Sequence, residues 1–221
     1  MIRRATKGGL AAAIFLSAVV GIIFAGEPRN PIFAGRAELA NPGIAACRQL
    51  LARESNSAPG HYYLAIELGQ LADTKRNMAA FKMVKEMERE FKTAGDLDEH
   101  FDYAGPARCL GLLYRDAPGW PVSIGSRHKA REWLEQAVQL APDYPENRLN
   151  LVESYWQWKD HEAAGNELKT LDALWPSAQT NFTGEAWERS WYDWSTRREV
   201  ARKKLKETRR AGKTTEKQPL N

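Results

Sequence analysis

The side chains able to do chemistry in this chain are few and widely spaced. The four histidines, His61, His100, His128 and His161, are scattered, and none has the H-x-x-x-H or H-E-x-x-H spacing that sets two ligands on one helix face. No nucleophile elbow, phosphate-cradling glycine loop or C-x-x-C pair is present. The acids Asp96, Asp98, Glu99 and Asp102 could draw a calcium ion, but they lack the 12-residue loop pattern. A solvated helix N-terminus accounts for them more simply. This inventory predicts no catalytic residue, no metal and no cofactor. Two residue types remain of interest. Cys47 and Cys109 permit one intramolecular bridge if the chain leaves the cytosol, or stay as two buried thiols among apolar neighbours. Trp120 stands in a segment, 117–125, that two prolines stiffen and two glycines bend. There an indole either contacts a ligand or partner, or plugs a gap between helices.

The elements that position these residues read as helices. Apolar side chains recur at helical spacing: Ala80, Val84, Met87 and Phe91; Ala130, Trp133, Leu134, Ala137, Val138 and Ala141; Ala164, Leu168, Leu171 and Trp175; Trp187, Trp191 and Trp194. Turn signals at Asn41-Pro42-Gly43, Ala58-Pro59-Gly60, Gly95-Asp96, Ala117-Pro118-Gly119, Ala141-Pro142-Asp143 and Trp175-Pro176-Ser177 separate them. The pattern predicts helices over about 43–55, 60–72, 74–94, 100–116, 126–141, 144–158, 160–174 and 183–209. Short connections make neighbours antiparallel hairpins.

Ahead of the helices, Arg3, Arg4 and Lys7 precede an apolar run from Leu10 to Ala25, with no acid before Glu27. A basic start and a short apolar stretch describe an export signal. It is either cleaved after Ala25 or retained as an anchor. The expected organisation is therefore an export segment at 1–25, a linker at 26–42, a helical domain at 43–196, and a basic helix extension with a disordered tail at 197–221. The chain is thereby placed in the periplasm or cell envelope. Of the formal charge of +4, the export segment carries +3 and residues 197–217 carry +7, so the body is acidic at −6. An exported, acidic body disfavours nucleic acid as a partner. Membrane contact is expected only through the N-terminal segment or the basic tail.

Repeats are visible at 34 residues: Pro142 with Pro176, Ala130 with Ala164, and Ala137 with Leu171. Leu110-Gly111 with Tyr114 shares a pattern with Leu68-Gly69 and with Leu151-Val152 and Tyr155. A small residue lets the first helix of a pair approach its partner, and a proline stops the second. These residues resemble the tetratricopeptide (TPR) family, best over 104–142 and 145–176 and less closely over 62–95. The resemblance implies an all-α fold of stacked antiparallel helix pairs, a short α-solenoid, with a C-terminal capping helix formed around Trp187, Trp191 and Trp194. It further implies that Arg108, Arg115, Asn150, Glu153 and Trp156 line the concave face. There an asparagine holds a peptide backbone and an arginine grips a carboxylate.

The run Gly105-Pro106-Ala107-Arg108, Leu110-Gly111 and Tyr114, the glycine- and tryptophan-containing insertion, and then Ala130, Ala137 and Pro142 also resembles the TRAP transporter T-component family over about residues 100–176. The first resemblance implies a non-catalytic exported scaffold for a protein or peptide partner. The second implies a periplasmic transport accessory with a small hydrophobic or anionic ligand. In both, Trp120 is the rim or lid residue.

Overall fold

A computed structural model of the chain describes residues 34–73 and 78–215, with side chains described over 40–73 and 78–208. The expected export segment lies outside the described residues, as do 26–33 of the linker and 216–221 of the tail. The described residues form eight helices and no strand: α1 Ala34–Arg53, α2 Ala58–Asp73, α3 Met78–Leu97, α4 Phe101–Asp116, α5 Arg127–Leu140, α6 Pro145–Gln157, α7 His161–Asn181 and α8 Glu185–Thr215. The fold is all-α. None of the described helices is long and apolar enough to cross a membrane.

The helices fall into two compact units, one ending at Ala141 and the other beginning at Pro142. In the first, α2 packs on α1 and α3, α3 on α4, and α4 on α5. The apolar stripes read from the sequence are its buried faces: Ala80, Val84, Met87 and Phe91 on α3, and Ala130, Leu134 and Ala137 on α5. Tyr62 is fully buried, with its ring edge-on to Phe91 at 5.8 Å and to Phe101 at 5.2 Å. Ala104, Ala107 and Ala137 form a patch of small residues between α4 and α5, with Trp133 closing its edge. Ser126 caps α5 by accepting the Lys129 N–H at 3.3 Å.

In the second unit α6 packs on α7 and α8, and α7 on α8. Its core is aromatic. Trp194 is fully buried and meets Tyr144 at 5.4 Å, Trp191 at 5.1 Å and Trp187 at 5.8 Å between ring centroids. Pro145 stands in the first turn of α6, where its missing N–H costs nothing, and Asp160 caps α7 through the Ala163 N–H at 3.2 Å.

Three boundaries differ from the sequence reading. First, α1 starts at Ala34 and runs through Pro42, where a linker and turn are expected. Second, α7 continues through Pro176 to Asn181. Trp175, Ala178 and Phe182 are all buried, so apolar burial extends past the proline and outweighs the one backbone bond it removes. Third, α8 is helical to Thr215, past position 209, where the helix is expected to end, and into the expected disordered tail.

Candidate functional site

In the first unit the chain enters α4 through a left-handed turn. Asp102, Tyr103 and Ala104 have φ of 49°, 55° and 61°. Without glycine each costs about 1–2 kcal/mol. Arg108, one turn further on, holds this turn in place. Its Nη1 donates to the carbonyls of Asp102 at 3.2 Å and Tyr103 at 3.1 Å, and its Nη2 donates to the Asp102 carboxylate at 2.8 Å. The Tyr62 hydroxyl donates to the same carboxylate at 2.8 Å. Arg108 is completely buried, and this is its structural work; its guanidinium does not face a concave surface. Burial, then the neighbouring Asp102 and Cys109, push the Tyr62 hydroxyl well above the usual phenol range. The acidic run is thus split: Asp102 is committed to Arg108 and Tyr62, while Asp98 and Glu99 are exposed. No group of His, Cys, Asp or Glu among the described residues is arranged to hold a metal ion.

Arg115 is also committed locally. Its Nε and Nη2 form a fork on the Asp116 carboxylate at 2.6 and 2.7 Å, with both side chains nearly buried. Cys47 and Cys109 are both thiols, with no disulfide between them. Cys47 is half-buried, and burial followed by Glu67 pushes its pKa up. Cys109 is buried with its sulfur 3.6 Å from the Tyr62 hydroxyl.

Trp120 is a different case. The 117–125 segment closes on itself: the Gly125 N–H donates to the Pro118 carbonyl at 2.8 Å, the Ser126 N–H to Tyr114 at 2.9 Å, and the Val122 N–H to Gly119 at 3.1 Å. Gly125 is required there, because a Cβ at that position would lie 2.0 Å from the Ala117 carbonyl oxygen. This braced loop holds the Trp120 side chain out in solvent, 90% exposed, with Val122 beside it at 56%. The indole plugs nothing within its own unit.

In the second unit, Glu146, Asn150 and Glu153 recur at i, i+4 and i+7 on α6 and so share one face. Arg197 of α8 is inserted among them. Its Nε and Nη2 grip Glu153 at 2.7 and 2.9 Å, its Nη1 donates to Glu146 at 2.8 Å and Asp193 at 3.1 Å, and its Nη2 donates to the Asn150 amide oxygen at 2.6 Å. These bonds use all the donors a guanidinium has. The second Glu146 oxygen accepts the Trp194 indole N–H at 2.7 Å. Burial works against the Arg197 charge, but Glu146 and Glu153 outweigh it and hold its pKa well above the ordinary guanidinium value. For Asp193, burial and the adjacent Glu146 and Glu153 outweigh Arg197 and push the carboxyl up.

Two of the predicted groove residues, Asn150 and Glu153, are therefore brought together, and the chain's own last helix engages both. The sequence reading missed Arg197 and Glu146. The signal was present as the Glu146-Asn150-Glu153 stripe facing the first residue of the basic extension.

Trp156, one turn beyond Glu153, borders a cavity of about 200 Å³ between α6 and α8. Val152, Val200, Ala201 and Leu205 make its apolar walls, and the Glu153–Arg197 pair closes one end. The Lys204 ammonium lies 5.8 Å from the centre of the Trp156 ring. His161 packs on the indole at 4.6 Å between ring centroids. The geometry offers shape, an aromatic wall and a lysine ammonium. No protein-family model matches the chain, and no curated protein matches it.

Proposed function

We propose that this protein is a non-catalytic, TPR-like scaffold of the cell envelope that takes a protein or peptide partner, with the 117–125 loop as its contact point. The observation that carries this reading is the 90% exposed Trp120 indole on a loop whose backbone is tied at both ends. A loop whose backbone is already braced has less entropy to lose on docking, and tryptophan is enriched among the residues that carry binding energy at interfaces. The repeat pattern in the sequence and the all-α fold support the TPR-like reading, and the basic, apolar N-terminal sequence supports export. The test compares the full chain with Trp120→Ala in pull-downs from envelope extract. A defined partner held by the native chain and lost from a variant with an unchanged helical spectrum supports the reading. Equal capture by both removes it.

A second reading is favoured by the cavity between α6 and α8: a small-molecule-binding or transport accessory of the kind the T-component resemblance implies.

A further inference from the structure

The cavity between α6 and α8 has a selective chemistry. At about 200 Å³ it is smaller than the roughly 300 Å³ at which pockets for drug-sized ligands begin. It is larger than the dry cavities of about 150 Å³ that take up benzene. The space suits one aromatic ring or a short branched chain and excludes a long acyl chain. The polar groups then set the charge. Arg197 borders the cavity, but its donors are all engaged by Glu146, Asn150, Glu153 and Asp193, so it has none left for a ligand. Both Glu153 oxygens are held by Arg197, which leaves little to attract a cationic ligand. Lys204 is the remaining charge on the wall, and among the described side chains no carboxylate pairs with it. One open ammonium near a committed carboxylate favours a single negative charge over a phosphate dianion.

We propose that this cavity binds a small monocarboxylate with a compact apolar body. The body sits between Val152, Trp156, Ala201 and Leu205, and the carboxylate lies on the Lys204 ammonium. The proposal rests on the second reading above and adds the ligand class.

The test uses the purified full chain and two probes of like shape, 3-phenylpropionate and the neutral 3-phenylpropan-1-ol, titrated by calorimetry and ligand-observed NMR. Saturable one-site binding is expected for both, with the carboxylate about three- to fivefold tighter, the worth of a partly exposed ion pair. In Lys204→Gln the two probes should bind alike, while Lys203→Gln on the exposed surface should keep the preference. Ala201→Phe, which fills the space, should remove both. If the native chain binds neither probe, the proposal fails together with the accessory reading. If it binds both equally, the monocarboxylate assignment fails and the cavity reading stands. Self-association that blocks both probes overturns the proposal in favour of a second copy of the chain as occupant.

Discussion

Arg197 grips Glu153 with two parallel hydrogen bonds of 2.7 and 2.9 Å, and so pins α8 against α6. The same guanidinium reaches Glu146, which is almost entirely buried. Removing it strands acidic groups that the fold has already withdrawn from water. Arg197→Ala is expected to destabilise the second unit by on the order of 3 kcal/mol, the low end for a broken buried pair because Glu153 keeps 34% exposure. Arg197→Lys keeps the charge but not the fork, and should recover only part of the loss. Urea denaturation followed by tryptophan fluorescence reads the effect, since the unit's aromatic core reports on its unfolding.

Asp193 gives a pH dependence with a definite sign. Burial, with Glu146 and Glu153, raises its pKa in the folded state above the ordinary 3.8. A raised pKa means that folding favours the protonated acid. The associated stability is complete below the unfolded value and is lost as pH rises through the folded one. Asp193→Asn, which cannot ionise and can still accept from Arg197, should match or exceed the native chain in Tm at pH 7. That relative advantage should shrink as pH falls toward about 4. A variant less stable than the native chain at pH 7 but not at pH 4 contradicts this assignment.

The turn after α6 holds Lys159 at φ 61°. Helices often end on a left-handed residue, usually glycine, because a Cβ is strained there. Lys159 is exposed, so little packing is lost on truncation. Lys159→Gly is expected to raise the stability of the second unit by about 1 kcal/mol. A drop in the urea midpoint would show that the lysine side chain has a structural role there.

Gly111 lies where α4 and α5 touch. A Cβ there would stand 2.6 Å from Leu134 Cγ and 3.0 Å from the Leu134 backbone nitrogen. Gly111→Ala should therefore force the helices apart and cost about 1–3 kcal/mol, although alanine is the better helix former. Pairing it with Leu134→Ala should recover part of the loss, a coupling that a double-mutant cycle measures.

Gly111 also marks how far the sequence reached. The Leu-Gly-x-x-Tyr spacing called for a small residue where helices meet, and Gly111 packs against Leu134 in that role. The stripes on α3, α5 and α7 were legible for the same reason: burying one face of a helix leaves a period of 3.6 in the residues themselves. The all-α fold, the short hairpin connections and the aromatic core around Trp194 follow from such local periodicity. The ends of α1 and α7 were not legible. Local propensity stops a helix at Pro42 or Pro176; at Pro176 it is the burial of Ala178 and Phe182 beyond the proline that carries α7 on.

The site residues divide along the same line. The sequence marked Trp120, Arg108, Arg115, Asn150, Glu153 and Trp156 by type and position, and each type carries the same potential in any fold. Tertiary structure decided their use. Arg108 braces a left-handed turn beside Asp102, Arg115 is closed on Asp116, and Asn150 and Glu153 receive Arg197 from 44 or more residues away. A charged side chain takes whichever partner the packing brings within 3 Å, and sequence distance places no limit on that choice. Trp120 kept its exposure because Gly125 and the Pro118 carbonyl close the loop beneath it, a constraint of backbone geometry that composition does not carry.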